Sequence, residues 1–83
     1  MSTLCDKLVA ISDIFGKARG VGRKRISTIV LYQGSKLDAV ANGVADVTTR
    51  TWERAMQYYS DHWPENVPWP NFVVRPQPND KVG

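Results

Sequence analysis

All five prolines of this 83-residue chain fall in one short stretch, at Pro64, Pro68, Pro70, Pro76 and Pro78. Proline has no amide hydrogen, and its ring collides with the preceding helical turn, so that stretch cannot be helical for long. Any helical body must come from residues 1–63. Within them the apolar residues recur at helical spacing. Leu4, Leu8, Ile11, Phe15 and Ala18 form one stripe of about four turns, with Ser2 or Thr3 as cap and Asp6 in the first turn, where negative charge suits the helix dipole. Gly20-Val21-Gly22 ends it.

A second helix is expected from Arg23 to about Gln33, burying Ile26, Ile29 and Val30. Its richness in β-branched residues also suits a strand; the spacing i, i+3, i+4 favours helix. Leu37, Val40, Ala41 and Val44 suggest a short third helix ending near Gly43. Asp46, Thr48 and Thr49 are candidate caps for a fourth helix over residues 48–63. There Trp52, Ala55, Met56, Tyr59 and Trp63 make the strongest periodic segment of the chain, and Pro64 stops it. In the tail Trp69, Phe72, Val73 and Val74 are expected to anchor onto the helices, with disorder from about Pro76 to Gly83. The expectation is an all-α bundle of about four helices, a domain over residues 1–74 and a disordered tail over 75–83.

Charge is distributed unevenly. Residues 14–37 carry six basic side chains (Lys17, Arg19, Arg23, Lys24, Arg25, Lys36) and no acidic one. Residues 1–13 sum to −1 and residues 38–83 to −2, so the overall +3 understates a local +6. Such a cluster is the electrostatic footprint of a protein that meets phosphates. A domain this small has a thin core, and a partner subunit would support it. Cys5 is the sole cysteine, which rules out an internal disulfide and suits a reducing cytoplasm. With one cysteine and one histidine, far apart in sequence, no four-ligand zinc set is expected. No apolar run reaches membrane-spanning length, and no signal peptide is read at the N-terminus.

The charge block overlies a specific spacing. With Ser12 as the first of twenty positions, Phe15 takes the fourth, apolar place and Gly16 the fifth, where a second helix crosses closely. Gly20 takes the ninth, the turn glycine, and Val21, Ile26 and Ile29 take the apolar tenth, fifteenth and eighteenth. Arg19 departs at the eighth, where an apolar residue is commoner. Residues 12–31 therefore resemble the helix-turn-helix of bacterial and phage transcription regulators. The same register turns Arg23, Lys24, Arg25, Ser27 and Thr28 outward, types suited to phosphates and base edges. No acidic cap closes the start of that helix to a phosphate. A second resemblance, carried by Thr48-Thr49-Arg50, Ser60-Asp61-His62-Trp63-Pro64 and Pro68-Trp69-Pro70, is to small proteins of α-proteobacterial phages and mobile elements. It implies a setting and no chemistry.

His62 and Asp61 are adjacent, so they do not face each other on a helix and make no catalytic pair. Cys5 reads as packing, and Trp52 and Trp63 as core rather than base-stacking platforms. Trp69, between two prolines, is open between core and interface. No catalytic, cofactor or metal site and no small-molecule substrate are read. The expected function is sequence-specific binding of double-stranded DNA by Lys17, Arg19, Arg23, Lys24, Arg25, Ser27, Thr28 and Lys36. The recognition helix is residues 23–33, and a homodimer on a two-fold operator is the economical arrangement. The rival is an inhibitor or anti-activator that applies the same basic face to a protein, since fold and function separate.

Overall fold

The apolar spacings become four helices in the computed structural model, which describes residues 4–76. They are α1 (Leu4–Arg19), α2 (Arg23–Leu31), α3 (Lys36–Ala41) and α4 (Thr49–His62). Among the described residues there is no strand, and no helix is long and apolar enough to cross a membrane. The expected caps Ser2 and Thr3 lie outside the described residues, as does all of the tail expected over 75–83 except Arg75 and Pro76.

Most helix ends have a local cause, while α2, expected to reach about Gln33, stops at Leu31, where Tyr32 turns left-handed at φ 63. Of the three candidate caps for α4, Thr48 acts: its hydroxyl oxygen accepts from the Thr51 amide at 3.2 Å. At the end of α1, Gly20 takes φ +70 and the Val21 amide reaches back to the Gly16 carbonyl at 2.8 Å. The end of α3 repeats this closure. Gly43 has φ +78, its amide donates to Val40 O, and the Val44 amide donates to Ala39 O. The turn at Gly43 leaves Ala41 and Val44 exposed, so α3 buries only Leu37 and Val40 of its four expected apolar positions.

The core gathers Leu8, Ile11 and Phe15 of α1, Ile26, Val30 and Leu31 of α2, Leu37 of α3, and Ala55, Met56 and Tyr59 of α4. Leu4 and Ala18, the ends of the α1 stripe, stay exposed. Trp52 is half-buried and packs at the margin of the core. Phe15 bridges α1 to the aromatic end of α4, with ring centroids 5.0 Å from Tyr59 and 5.9 Å from Trp63. Trp69 then covers Trp63 at 4.8 Å, so it caps the core. The tail docks by alternation: in extended chain successive side chains point to opposite sides. Val73 is buried, while its neighbours Phe72 and Val74, expected as anchors, are exposed. Arg75 donates to the Ser60 carbonyl at 2.8 Å, and Ser60 donates to the Pro76 carbonyl, which binds the chain to α4 through Pro76.

The α1–α2 corner leaves no room for a side chain at Gly16. A Cβ built on Gly16 would lie 2.6 Å from Ile26 Cδ1 and 2.7 Å from the Val21 carbonyl oxygen. The second obstruction is backbone and cannot swing aside, so only glycine lets α2 cross here. The small residue and the turn glycine thus sit where the spacing requires them.

The face that α2 buries differs from the expected one. Its buried residues are Ile26, Ser27, Val30 and Leu31, and Ile29 is 40% exposed. The expectation had Ile29 inside and Ser27 outside. The reason is that α2 packs against α3 as well as against α1 and α4, and Ser27 accepts from the Leu37 amide of α3. The buried arc widens toward α3 and takes in Ser27, which leaves Ile29 at the open side.

Candidate nucleic-acid interface

The cluster of basic residues does not stay together in space. Lys17 and Arg19 are exposed at the end of α1, and Lys24 and Arg25 are exposed on the first turn of α2. These four flank the Gly20–Gly22 turn. Among the described residues none of them forms a salt bridge; Arg19 lies over the Phe15 ring at 5.8 Å. The Lys24 stem runs along Gly34, with Cγ 3.1 Å from where a Cβ would be. Thr28, one turn on from Lys24, is exposed, and its hydroxyl donates to the Lys24 carbonyl at 3.1 Å. That uses the hydroxyl hydrogen and leaves the oxygen as an acceptor, next to Gly34.

Three of the expected site residues have other work. Arg23 is a strut. Its Nε and Nη2 donate to both oxygens of Asp13 at 3.1 and 2.8 Å, and its Nη1 donates to Asp38 at 3.1 Å. One guanidinium thus ties α1, α2 and α3 together, with both of its donor edges occupied. Asp13, then Asp38, push its pKa further up. The groups are one-third to one-half exposed, so screening holds the net stabilisation to roughly 1 kcal/mol. Arg23 is therefore not placed as a reader of bases, and the two carboxylates sit beside the start of α2, where a phosphate was expected.

Ser27 is the clearest correction. It is fully buried, its hydroxyl donates to the Gln33 carbonyl, and it accepts from the Leu37 amide at 2.9 Å. It bonds one backbone group of the α2–α3 connector and one in the first turn of α3, and cannot touch a ligand. Ser27→Ala strands the buried Leu37 amide, while the Gln33 carbonyl keeps the Lys36 amide, and is expected to destabilise the fold by about 1–3 kcal/mol. A urea melt reads this directly, and an unchanged midpoint would show that the connector relaxes to other partners.

Lys36 is drawn away from the rest. It is half-buried and near enough to Asp46 to help lower that carboxyl's pKa, after the larger contributions of the Val47 amide and the Cys5 thiol. Cys5 donates to Asp46 at 3.3 Å near the first turn of α1, the end opposite Arg19. Burial, then Asp46, pushes the Cys5 thiol pKa up, which keeps it protonated and unreactive. His62 is engaged too: its ring stacks on Tyr58 at 4.2 Å and Nδ1–H donates to the Tyr58 carbonyl at 2.9 Å. No group of His, Cys, Asp and Glu side chains among the described residues could hold a metal ion.

Other residues join the surface unforeseen. Ile29 is open on the outer face of α2, one turn beyond Arg25. Tyr32, just past the helix, is 70% exposed. The Arg54 guanidinium of α4 lies over its ring at 4.6 Å. Arg50 is exposed one turn before Arg54. Helical spacing puts these two arginines on one face of α4, but nothing in the sequence says that this face adjoins the end of α2. The surface thus runs from Lys17 and Arg19, along Lys24, Arg25, Thr28 and Ile29, to Tyr32 with Arg54. No protein-family model, curated protein sequence or solved structure matches this chain.

Proposed function

We propose that this protein binds double-stranded DNA in a sequence-specific manner, with the outer face of α2 in the major groove, as a small transcriptional regulator or mobile-element control factor in the cytoplasm. The observation that carries this reading is the set of exposed cations Lys17, Arg19, Lys24 and Arg25 around one turn, with no carboxylate paired to any of them among the described residues. Four like charges so close repel one another, and a polyanion relieves the repulsion. Lys17 and Arg19 suit the sugar-phosphate backbone. Lys24 and Arg25 suit guanine O6 and N7, Thr28 an amino donor, and Ile29 a thymine methyl. A homodimer would place two copies of α2 on a two-fold-related site.

Counterion release gives the test. Each phosphate neutralised contributes a slope of about −0.9 to log affinity against log salt, so four contacts predict about −3.6. Fluorescence anisotropy with a duplex from the promoter region of the protein's own gene, at several salt concentrations and with nonspecific competitor, measures it. An affinity that does not change with salt removes the reading. The exposed apolar Ile29 and Tyr32 on the same face would then favour the rival, a partner protein with an acidic and apolar surface.

A further inference from the structure

We infer that Tyr32 and Arg54 form a second anchor for the sugar-phosphate backbone, gripping the strand across the major groove from Lys17 and Arg19. This rests on the DNA-binding reading above. It begins with a residue that the fold alone does not explain. At the ends of α1 and α3 the left-handed position is taken by glycine, Gly20 and Gly43. At the end of α2 the same position is taken by Tyr32, with φ 63 and ψ 13. A bulky side chain is strained there, and glycine is the residue that relieves the strain. The ring gains little burial in exchange, since Tyr32 is 70% exposed. Strain of this kind, held in an exposed residue, marks a contact made with something outside the chain.

The surroundings say what that something is. Arg54 covers one face of the ring at 4.6 Å, and Arg50 follows one turn away on the same helix. Two arginines at this spacing repel each other slightly in the free protein. The two guanidiniums present donors only to an acceptor-rich ligand, the phenol hydroxyl adds a further O–H, and the guanidinium over the ring has N–H groups to offer phosphate oxygens. The distance also suits DNA. The nine residues of α2 span about 13 Å at 1.5 Å per residue, and the major groove is about 12 Å wide. Lys17 and Arg19 stand at the start of α2 and Tyr32 with Arg54 at its end, so the helix can lie across the groove with one strand held at each side.

Tyr32→Gly separates this role from a structural one. It relieves the left-handed strain while it removes the ring, so the melting temperature is expected to be no lower than that of the unmodified protein. Affinity for the promoter duplex is expected to fall about tenfold, and Arg54→Ala to reduce the salt slope by about one. Arg54→Lys keeps the charge but loses the stacked, forked geometry, and should recover only part of the loss. Unchanged affinity in both Tyr32→Gly and Arg54→Ala, while Lys24→Ala still weakens binding, overturns the second anchor and leaves the DNA-binding reading standing. Affinity that falls only in step with a lowered melting temperature overturns it as well. If the unmodified protein shows no salt-dependent binding to the duplex, both fall together.

Discussion

Tyr59→Ala is expected to leave the protein largely unfolded at room temperature. Tyr59 is fully buried, lies against Phe15 at 5.0 Å, and shares a hydrogen bond with Ser12, itself fully buried on α1. Truncating a large aromatic ring in a core costs about 3–5 kcal/mol through lost transfer and an unfilled cavity. It also strands the Ser12 hydroxyl. A domain this small has a total stability at the low end of roughly 5–15 kcal/mol. Far-UV circular dichroism against urea reads the effect. Tyr59→Phe keeps the ring and loses only the hydroxyl, so about 1–2 kcal/mol is expected. An Ala variant with an unchanged midpoint would show that the ring is not what holds α1 to α4. The same burial raises the Tyr59 hydroxyl pKa above its ordinary value, with Ser12 opposing the shift. A tyrosine whose folded pKa exceeds its unfolded value keeps its full stabilisation below pH about 10 and loses it as pH rises further. Alkaline titration followed by tyrosinate absorbance should show one tyrosine ionising only as the helical signal collapses.

Charge reversal at Lys24 and Arg25 is expected to have the largest effect on function. Both side chains are exposed on the first turn of α2, and neither is in an ion pair among the described residues. The double variant Lys24→Glu, Arg25→Glu places acidic groups at a helix start, where the dipole favours them. Its melting temperature should stay the same or rise. Its affinity for DNA should fall at least about thirtyfold, since two lost contacts at about 1–3 kcal/mol each remove at least about 2 kcal/mol. Opposite signs in stability and affinity rule out misfolding as the cause. Lys17→Ala and Arg19→Ala, beside the backbone, should weaken operator and scrambled duplex alike. If the double variant binds as the unmodified protein does, α2 is not the reading helix, and the basic face serves a protein partner.

Much of the scaffold is legible in the chain because it depends on local chemistry. The stripe from Leu8 to Phe15 and the stripe from Ala55 to Trp63 repeat at helical spacing, and both are core. Gly20 predicts a positive φ and has one; Gly16 predicts a close crossing, and Ile26 and the Val21 carbonyl crowd it. Proline confines the helices to the first part of the chain. What escapes a reading of this kind is which flank of a short helix meets a neighbour. In α2 the apolar period alone could not choose between Ile29 and Ser27, because α3 is a non-local neighbour. A serine that bonds backbone groups of the connector and of α3 is worth more inside than an isoleucine with nothing to pack on.

The candidate surface divides in the same way. Although α2 stops at Leu31 rather than at about Gln33, sequence by itself determined that the chain is helical, that α1, α3 and α4 end at or just before glycine or proline, and that its positive charge is concentrated between residues 14 and 37. Those properties follow from propensity, capping, backbone sterics and a count of charges, all of them local. Only the tertiary structure decided which charges are available. It placed Asp13 and Asp38 on either side of Arg23, drew Lys36 toward Asp46, and brought Arg54 from α4 onto Tyr32. Charges interact through space rather than along the chain, so their partners were fixed only when the four helices packed.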